Sequence, residues 1–279
     1  MPTAQFRWVG ILFFLFIHIV GLLGTPLVLL NHKVSVAEWT LLIVYFFLSS
    51  LAITVGYHRF FAHAAYKTNN FIRFLLLFFG ASTFEQSALK WASQHRQHHQ
   101  FTDTDQDPYN IKKGFWYAHI GWIMFWKHRV NYENVKDLME SKLVMNQHHF
   151  YGLWSMVSGV FAPLLIGVFI GHAFQVFIMS VCLRLVLVMN SAFFINSFAH
   201  TFGNQPHNKT NSSKNHWLGA ILTNGEGYHN FHHRFPTDYR NGLRWYHWDP
   251  SKWLIFLLSK LHLAWDLKRT VGFRLKAVI

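Results

Sequence analysis

Residues 11–30 read ILFFLFIHIVGLLGTPLVLL, from Ile11 to Leu30, an apolar run without a single charge that Asn31, His32 and Lys33 then close. Wound as an α-helix at about 1.5 Å per residue, such a run spans about 30 Å, the thickness of a bilayer's hydrocarbon core. Runs of the same kind lie at about 37–55, 151–170 and 173–195, the last two joined by the tight Gly171-His172 connection. The linker at 31–36 is short, so the first two helices are antiparallel neighbours. The reading is an all-α integral membrane protein with four transmembrane helices. Its polar regions, 58–149 and 196–279, form a helical cap, and the chain from 1 to 279 is one domain.

Composition agrees. Apolar residues make up 52% of the 279 and charged residues 13%, about half the share usual in a soluble domain. The net charge of +13 would suggest nucleic acid in a soluble chain, but no zinc-finger, recognition-helix or RNA-binding signature accompanies it. Its Lys and Arg residues flank apolar spans, which favours anionic lipid and an acidic partner or substrate. Eleven of them fall in 58–149 and eleven in 196–279, against Lys33 alone in the first loop and none in the 171–172 turn. The positive-inside tendency therefore puts both termini and the cap in the cytoplasm. Arg7 precedes an apolar stretch too long for a cleaved signal. The lone Cys182 excludes an internal disulfide and a thiolate metal site.

Lesser elements are expected as well. Phe71 to Ala81 reads as a re-entrant or membrane-embedded helix, Phe115 to Trp126 as an interfacial one before Lys127-His128-Arg129, and Trp253 to Leu263 as an amphipathic surface helix. Pro163 is placed to kink the third span or to sit near its end. Arg184 within the fourth span is expected to snorkel or to pair inside the bundle.

The chain has 20 histidines, and many fall into three groups. These are His58 and His63; His95, His98 and His99; and His229, His232 and His233. In the second and third, the i, i+3 and i+4 spacing places three imidazoles on one helix face, converging on one point. The five-residue spacing of His58 and His63 fits an α-helix less well, and works where a span terminates. Isolated histidines such as His18, His32 and His262 read as interfacial side chains bonded to water or lipid. Neutral imidazole suits iron and zinc alike. One zinc is satisfied by four ligands, so eight clustered imidazoles point to two metals and to redox work with O2. Carboxylates stand near enough to orient ligating rings: Glu85 before the second group, Asp103, Asp105 and Asp107 after it, Glu226 before the third. A solvated loop is an equal reading of the aspartate run.

The groups and the strings around them resemble the membrane fatty acyl desaturases, in the delta-9 or stearoyl-CoA desaturase-like branch, from about Gly56 to Arg269. Beyond the boxes HxxxxH, HxxHH and HxxHH, the strings are Gly56-Tyr57-His58-Arg59, Asp105-Gln106-Asp107-Pro108, Asn196-Ser197-Phe198-Ala199-His200 and Gly225-Glu226-Gly227-Tyr228-His229-Asn230-Phe231-His232-His233. The resemblance implies a di-iron centre in a cytoplasmic cap, with His200 as a ninth ligand and Asn196 reaching one metal through water. It implies O2-dependent insertion of a cis double bond, with delta-9 the expected position, into a saturated fatty acyl chain held in an apolar tunnel. Zinc in place of iron is the expectation for a heterologous preparation. The acyl chain is carried on CoA, acyl-carrier protein or lipid. Electrons are expected from a separate ferredoxin, rubredoxin or cytochrome b5-like donor drawn to the basic face. The short form is common among bacterial members, which makes a bacterial inner membrane the expected location.

Two other functions compete. A fatty acyl or alkyl hydroxylase on the same scaffold shares the first hydrogen abstraction and differs in product. A metal or haem transporter would instead place its ligands inside the spans near the midplane.

Overall fold

A computed structural model describes residues 8–125 and 130–270. Among the described residues four helices are long and apolar enough to cross a membrane: α1 (Trp8–Asn31), α2 (Val36–Ala62), α7 (Tyr151–Phe169) and α8 (Ala173–Thr201). Between α2 and α7 come α3 (Asn70–Ala81), α4 (Ala88–Phe101), α5 (residues 117–125) and α6 (Lys142–His149). After α8 follow α9 (Trp217–Leu222), α10 (His229–Arg234) and α11 (Pro250–Lys260). A two-residue strand β1 (Lys67–Thr68) pairs antiparallel with β2 (Ala264–Trp265), tying the end of the cap to the end of α2. Leu15, Ile19, Leu22 and Leu23 of α1 are all exposed, a surface that only lipid covers. The chain is an integral membrane protein.

Local chemistry sets the helix starts. Ser35 and Glu38 form a capping box on α2, Asn69 caps α3 and Ser87 caps α4. Asp249 accepts the Lys252 N–H and Pro250 fills the first turn, so α11 begins three residues before the expected Trp253 and ends at Lys260. Residues 115–125 are helical as expected, and Trp126 to Arg129 lie outside the described residues. Both α2 and α8 outrun their apolar stretches, reaching Ala62 and Thr201 instead of Val55 and Ile195. Those extensions lift His58 and His200 out of the hydrocarbon into the cap.

The last eleven residues of α2, Ala52–Ala62, wind as a π-helix. Here the His63 N–H donates to the His58 carbonyl, five residues back. The wider turn puts residues i and i+5 on one face, so the HxxxxH spacing that an α-helix accommodates badly becomes a matched pair.

Pro163 sits inside α7, where its missing N–H frees the carbonyl of Gly159 four residues earlier. Arg184 of α8 donates to that carbonyl at 3.0 Å. The same guanidinium donates to Ser180 O, Ser49 Oγ and Ser82 O, and stacks over Tyr45. Arg184 is fully buried; it does not snorkel, but joins α2, α3, α7 and α8. Arg184→Met is expected to deprive the Gly159 and Ser82 carbonyls of this donor, while Ser49 keeps its bond to the Ser82 hydroxyl. At about 1–3 kcal/mol for each buried orphan, the thermal midpoint of the detergent-purified protein should fall by more than 5 °C, roughly what a loss of 3 kcal/mol gives in a chain this size. An unchanged midpoint would show that water replaces the guanidinium.

Elsewhere in the spans, polar groups also pair with one another. Asn190 bonds His18 at 3.0 Å and His119 at 3.2 Å, and His119 reaches Ser197 at 2.9 Å. Gly21 lets α1 lie against the backbone of α8, since a Cβ there would come 3.0 Å from Leu183 N.

Candidate metal centre

Nine histidines meet in the cap as two groups, eight on four helices and His63 just past the end of α2. His58, His63, His95, His99 and His232 form the first, and His98, His200, His229 and His233 the second. Within each group, one ring nitrogen per residue lies within 4.8 Å of all the others. The two HxxHH boxes therefore do not converge on one point each, as the spacing alone suggests. His95 and His99 point to the first group while His98 points to the second; His229 and His233 point to the second while His232 crosses to the first. On a helix, residues i+3 and i+4 diverge by about 100°, enough to aim neighbours at different targets. The groups abut: the His99 ring stacks on His233 with centroids 4.3 Å apart. His200, part of no box, completes the second.

Several contacts hold this arrangement. Arg96, between the second box's histidines, donates to the carbonyls of Phe61 and Ala62 at 2.9 and 2.8 Å, docking α4 onto the end of α2. Gly225 has φ +102°, and a Cβ on Gly227 would overlap the backbone of Ala220. Only glycine allows the third box to enter α10 this way. Trp91 stacks on His95 at 4.8 Å.

The outward faces of the rings carry acceptors. Asp107 Oδ1 is 2.8 Å from His98 Nδ1. Glu226 Oε2 is 3.0 Å from His58 Nδ1, close enough for attraction though too poorly aligned for a good hydrogen bond. His200 Nδ1 bonds Ser212 Oγ at 2.7 Å, and Asp103 accepts from Ser212 in turn. Asp103 thus acts at one remove, while Asp105 is 93% exposed beside Lys113 and takes no part. Burial would raise the Glu226 carboxyl, but His58 and Arg59 outweigh it and hold it low. Arg59 is buried between Glu226 (3.0 Å) and Asp249 (2.9 Å), and Asn241 also donates to Glu226. The roles of Ser212, Arg59 and Asp249 had no signal in the sequence, because their partners lie far along the chain.

These residues fit metal ions. An imidazole whose Nδ1–H faces a carboxylate presents a bare Nε2 lone pair. In the first group Nε2 faces Nε2 at 2.9 Å (His58 and His232; His63 and His95), 3.0 Å (His99 and His232) and 3.1 Å (His95 and His99). Five rings with one mobile proton each cannot satisfy every such contact, whereas a cation among them can. His200 Nε2 is buried with no hydrogen-bond partner. Burial first, then neighbouring histidines, pushes His63, His95, His99, His229, His232 and His233 well below the usual imidazole range, so they stay neutral and able to ligate.

A cavity of about 620 Å³ opens beside the first group, with His58, His95 and Glu226 in its wall. Phe13, Phe14, Trp122, Met189 and Phe193 make most of the rest apolar, and Asn196 and Glu85 line it too. Glu85 hydrogen-bonds no histidine; it accepts weakly from Trp91 Nε1 at 3.4 Å, and its remaining exposure is to the cavity. Burial pushes its carboxyl up to about 8. The folded chain holds this proton up to about pH 8, while the unfolded chain releases it near the ordinary carboxylate value. Stability is therefore expected to fall as pH rises through that window. Glu85→Gln should flatten that part of a plot of thermal midpoint against pH; an identical slope in the variant would count against a protonated Glu85.

Four apolar spans under a cap that gathers nine imidazoles into two adjoining groups define a membrane protein built around a candidate dinuclear metal centre. The chain belongs to the fatty acid desaturase family, whose profile matches residues 34–256. It is 46% identical over 229 residues to the probable acyl-CoA desaturase of Schizosaccharomyces pombe, covering 81% of this chain and 48% of that protein. With acyl-CoA desaturase 1 of Saccharomyces cerevisiae it shares 38% identity over 231 residues, covering 81% and 45%. With the stearoyl-CoA desaturase of Homo sapiens it shares 33% over 276 residues, covering 96% and 76%. The chain spans about half the length of the two yeast relatives.

Proposed function

We propose that this chain is a fatty acyl desaturase that uses O2 and two iron ions to place a cis double bond, with delta-9 the expected position, in a long saturated acyl chain. The observation that carries the reading is the apolar cavity ending on His58 and His95. Its volume of about 620 Å³ falls in the usual range for small-ligand sites, and its wall offers a hydrocarbon chain contact without hydrogen-bonding demands.

The nine histidines would hold the metals, which when bound supply O2 activation and hydrogen abstraction. What the protein does is position and exclude. Glu226 and Asp107 fix the His58 and His98 rings, and Arg59 with Asp249 fixes Glu226. The aromatic wall sets the depth of the acyl chain and keeps bulk water away. Asn196, in that wall one turn before His200, is placed to hold a water beside the centre. The relatives' names point to a CoA-linked acyl group. The basic cap suits an acidic one-electron donor such as a ferredoxin, rubredoxin or cytochrome b5-like protein.

Expression in cells lacking their own desaturase, followed by gas chromatography-mass spectrometry of the derivatised fatty acids, tests the reaction. Monounsaturated products are expected; hydroxylated ones, or none, overturn the reading. We also assign the cap and both termini to the cytoplasm, in a bacterial inner membrane on the sequence reading, on the Lys and Arg count. A reporter inserted after Lys33 should lie on the opposite side of the membrane from one at Lys142. Both reporters on one side would refute the four-span arrangement.

A further inference from the structure

At the other end of the spans three more donors converge. His32 follows α1, Glu38 lies in the first turn of α2, and His172 lies in the turn between α7 and α8. One ligand atom from each lies within 4.8 Å of the other two. Twenty residues of α2 separate Glu38 from His58, about 30 Å of helix, so this group stands a hydrocarbon thickness away from the nine histidines.

We propose that His32, Glu38 and His172 form a separate site for a divalent late first-row cation, with Zn2+ as the working probe, that fastens the α1–α2 loop to the α7–α8 turn. Two imidazoles and a carboxylate are a donor set suited to zinc, with the fourth position left to water. Bonds of about 2.0–2.2 Å in a tetrahedron place neighbouring donors roughly 3.3–3.5 Å apart. His32 Nε2 lies 3.2 and 3.3 Å from the two Glu38 oxygens. That near-equal sharing between both oxygens is poor aim for one N–H on one lone pair. The His32 and His172 rings are 4.9 Å apart between centroids and inclined at 56°, so neither stacks on the other.

Glu38 itself supplies the second argument. It is 1% exposed, and among the described residues its ion-pair partner is His32, with no Lys or Arg beside it. A buried carboxylate persists where it is paired or bound to metal. Ser35 donates to Oε2 from both its backbone N–H (2.7 Å) and its hydroxyl (2.8 Å). The carboxylate is thereby held in one orientation, with both oxygens within reach of His32, as outer partners hold a metal-binding carboxylate. A cation bound here would cross-link two hairpins that otherwise meet through side-chain packing.

The experiment counts metal. Detergent-purified protein is stripped with a chelator, refilled with Zn2+ alone, desalted and analysed beside His172→Ala and His32→Gln. Neither substitution removes a residue of the Ser35–Glu38 capping box, and His172 lies in a partly exposed turn. Each variant is expected to retain one Zn2+ per chain fewer than the wild type, and refilling should raise the thermal midpoint of the wild type more than that of either variant. Equal Zn2+ content in all three proteins overturns the site and leaves a hydrogen-bonded His32–Glu38 pair only. The count is a difference between proteins whose histidine centre is the same, so its failure is distinct from failure of the desaturase reading.

Discussion

Replacing His99 with alanine is expected to lower double-bond formation at least about 100-fold and to reduce bound iron from two atoms per chain to one or fewer. Its Nε2 lies between His95 (3.1 Å) and His232 (3.0 Å), while its ring stacks on His233 of the second group. It is thus both a donor within one group and the packing contact that sets the distance to the other. Outer partners of metal ligands typically change affinity or activity by about 10–100-fold, and a ligand should exceed them. Asp107→Asn gives the comparison, because it keeps the shape and one oxygen for His98 and the Tyr109 N–H, while removing the charge and the second acceptor, which takes the Asp103 N–H. Iron content and product yield are measured on both, at matched thermal midpoint. If Asp107→Asn proves as damaging as His99→Ala, the loss comes from disordering α4 and not from a missing ligand.

The fold was legible where hydrophobic length alone decides. Each of the four runs is long, uncharged or nearly so, and bounded by polar residues, and each became a helix. Their ends were less legible. The extensions of α2 to Ala62 and α8 to Thr201 carry histidines and polar residues, and are stabilised by cap contacts such as Arg96 on the Phe61 and Ala62 carbonyls. The π-winding of Ala52–Ala62 leaves no periodic mark in an almost continuously apolar segment, so the reason for the HxxxxH spacing could not be read.

For the site, the spacing marked eight of the nine histidines that converge in the cap, with His200 added only by the family resemblance, but not how they divide. A box's i, i+3 and i+4 positions share a helix face broadly; which of two targets each ring meets depends on how α4 and α10 are set against each other. Carboxylates close in sequence were uneven guides. Asp107 reaches His98, Asp103 works through Ser212, Asp105 faces solvent and Glu85 faces the cavity. His32 read as an isolated interfacial residue because its partner His172 lies in a different hairpin. Contacts of that separation are invisible to any local pattern.

His200→Ala should nearly abolish activity and cost the second group its metal, although His200 lies outside every histidine box. The prediction rests on three facts about one ring. It is 4% exposed, its Nδ1 is engaged by Ser212 at 2.7 Å, and its Nε2 has no hydrogen-bond partner. A buried nitrogen left bare carries a penalty of about 1–3 kcal/mol unless something binds it. Its neighbours are His98, His229 and His233, with ring centroids 4.9–5.2 Å away, so a cation is the partner the surroundings offer. If His200 merely capped α8, its removal would change stability by about 1 kcal/mol and leave turnover alone. His207→Ala is the control, since that ring packs on Phe231 and belongs to neither group. With both variants purified at matched yield, His207→Ala should keep two irons and wild-type product, whereas His200→Ala should keep at most one and lose at least about 100-fold in turnover, more than the loss of an outer partner gives. Two irons and near-normal double-bond formation in His200→Ala would remove it from the ligand set and leave the second group with three imidazoles.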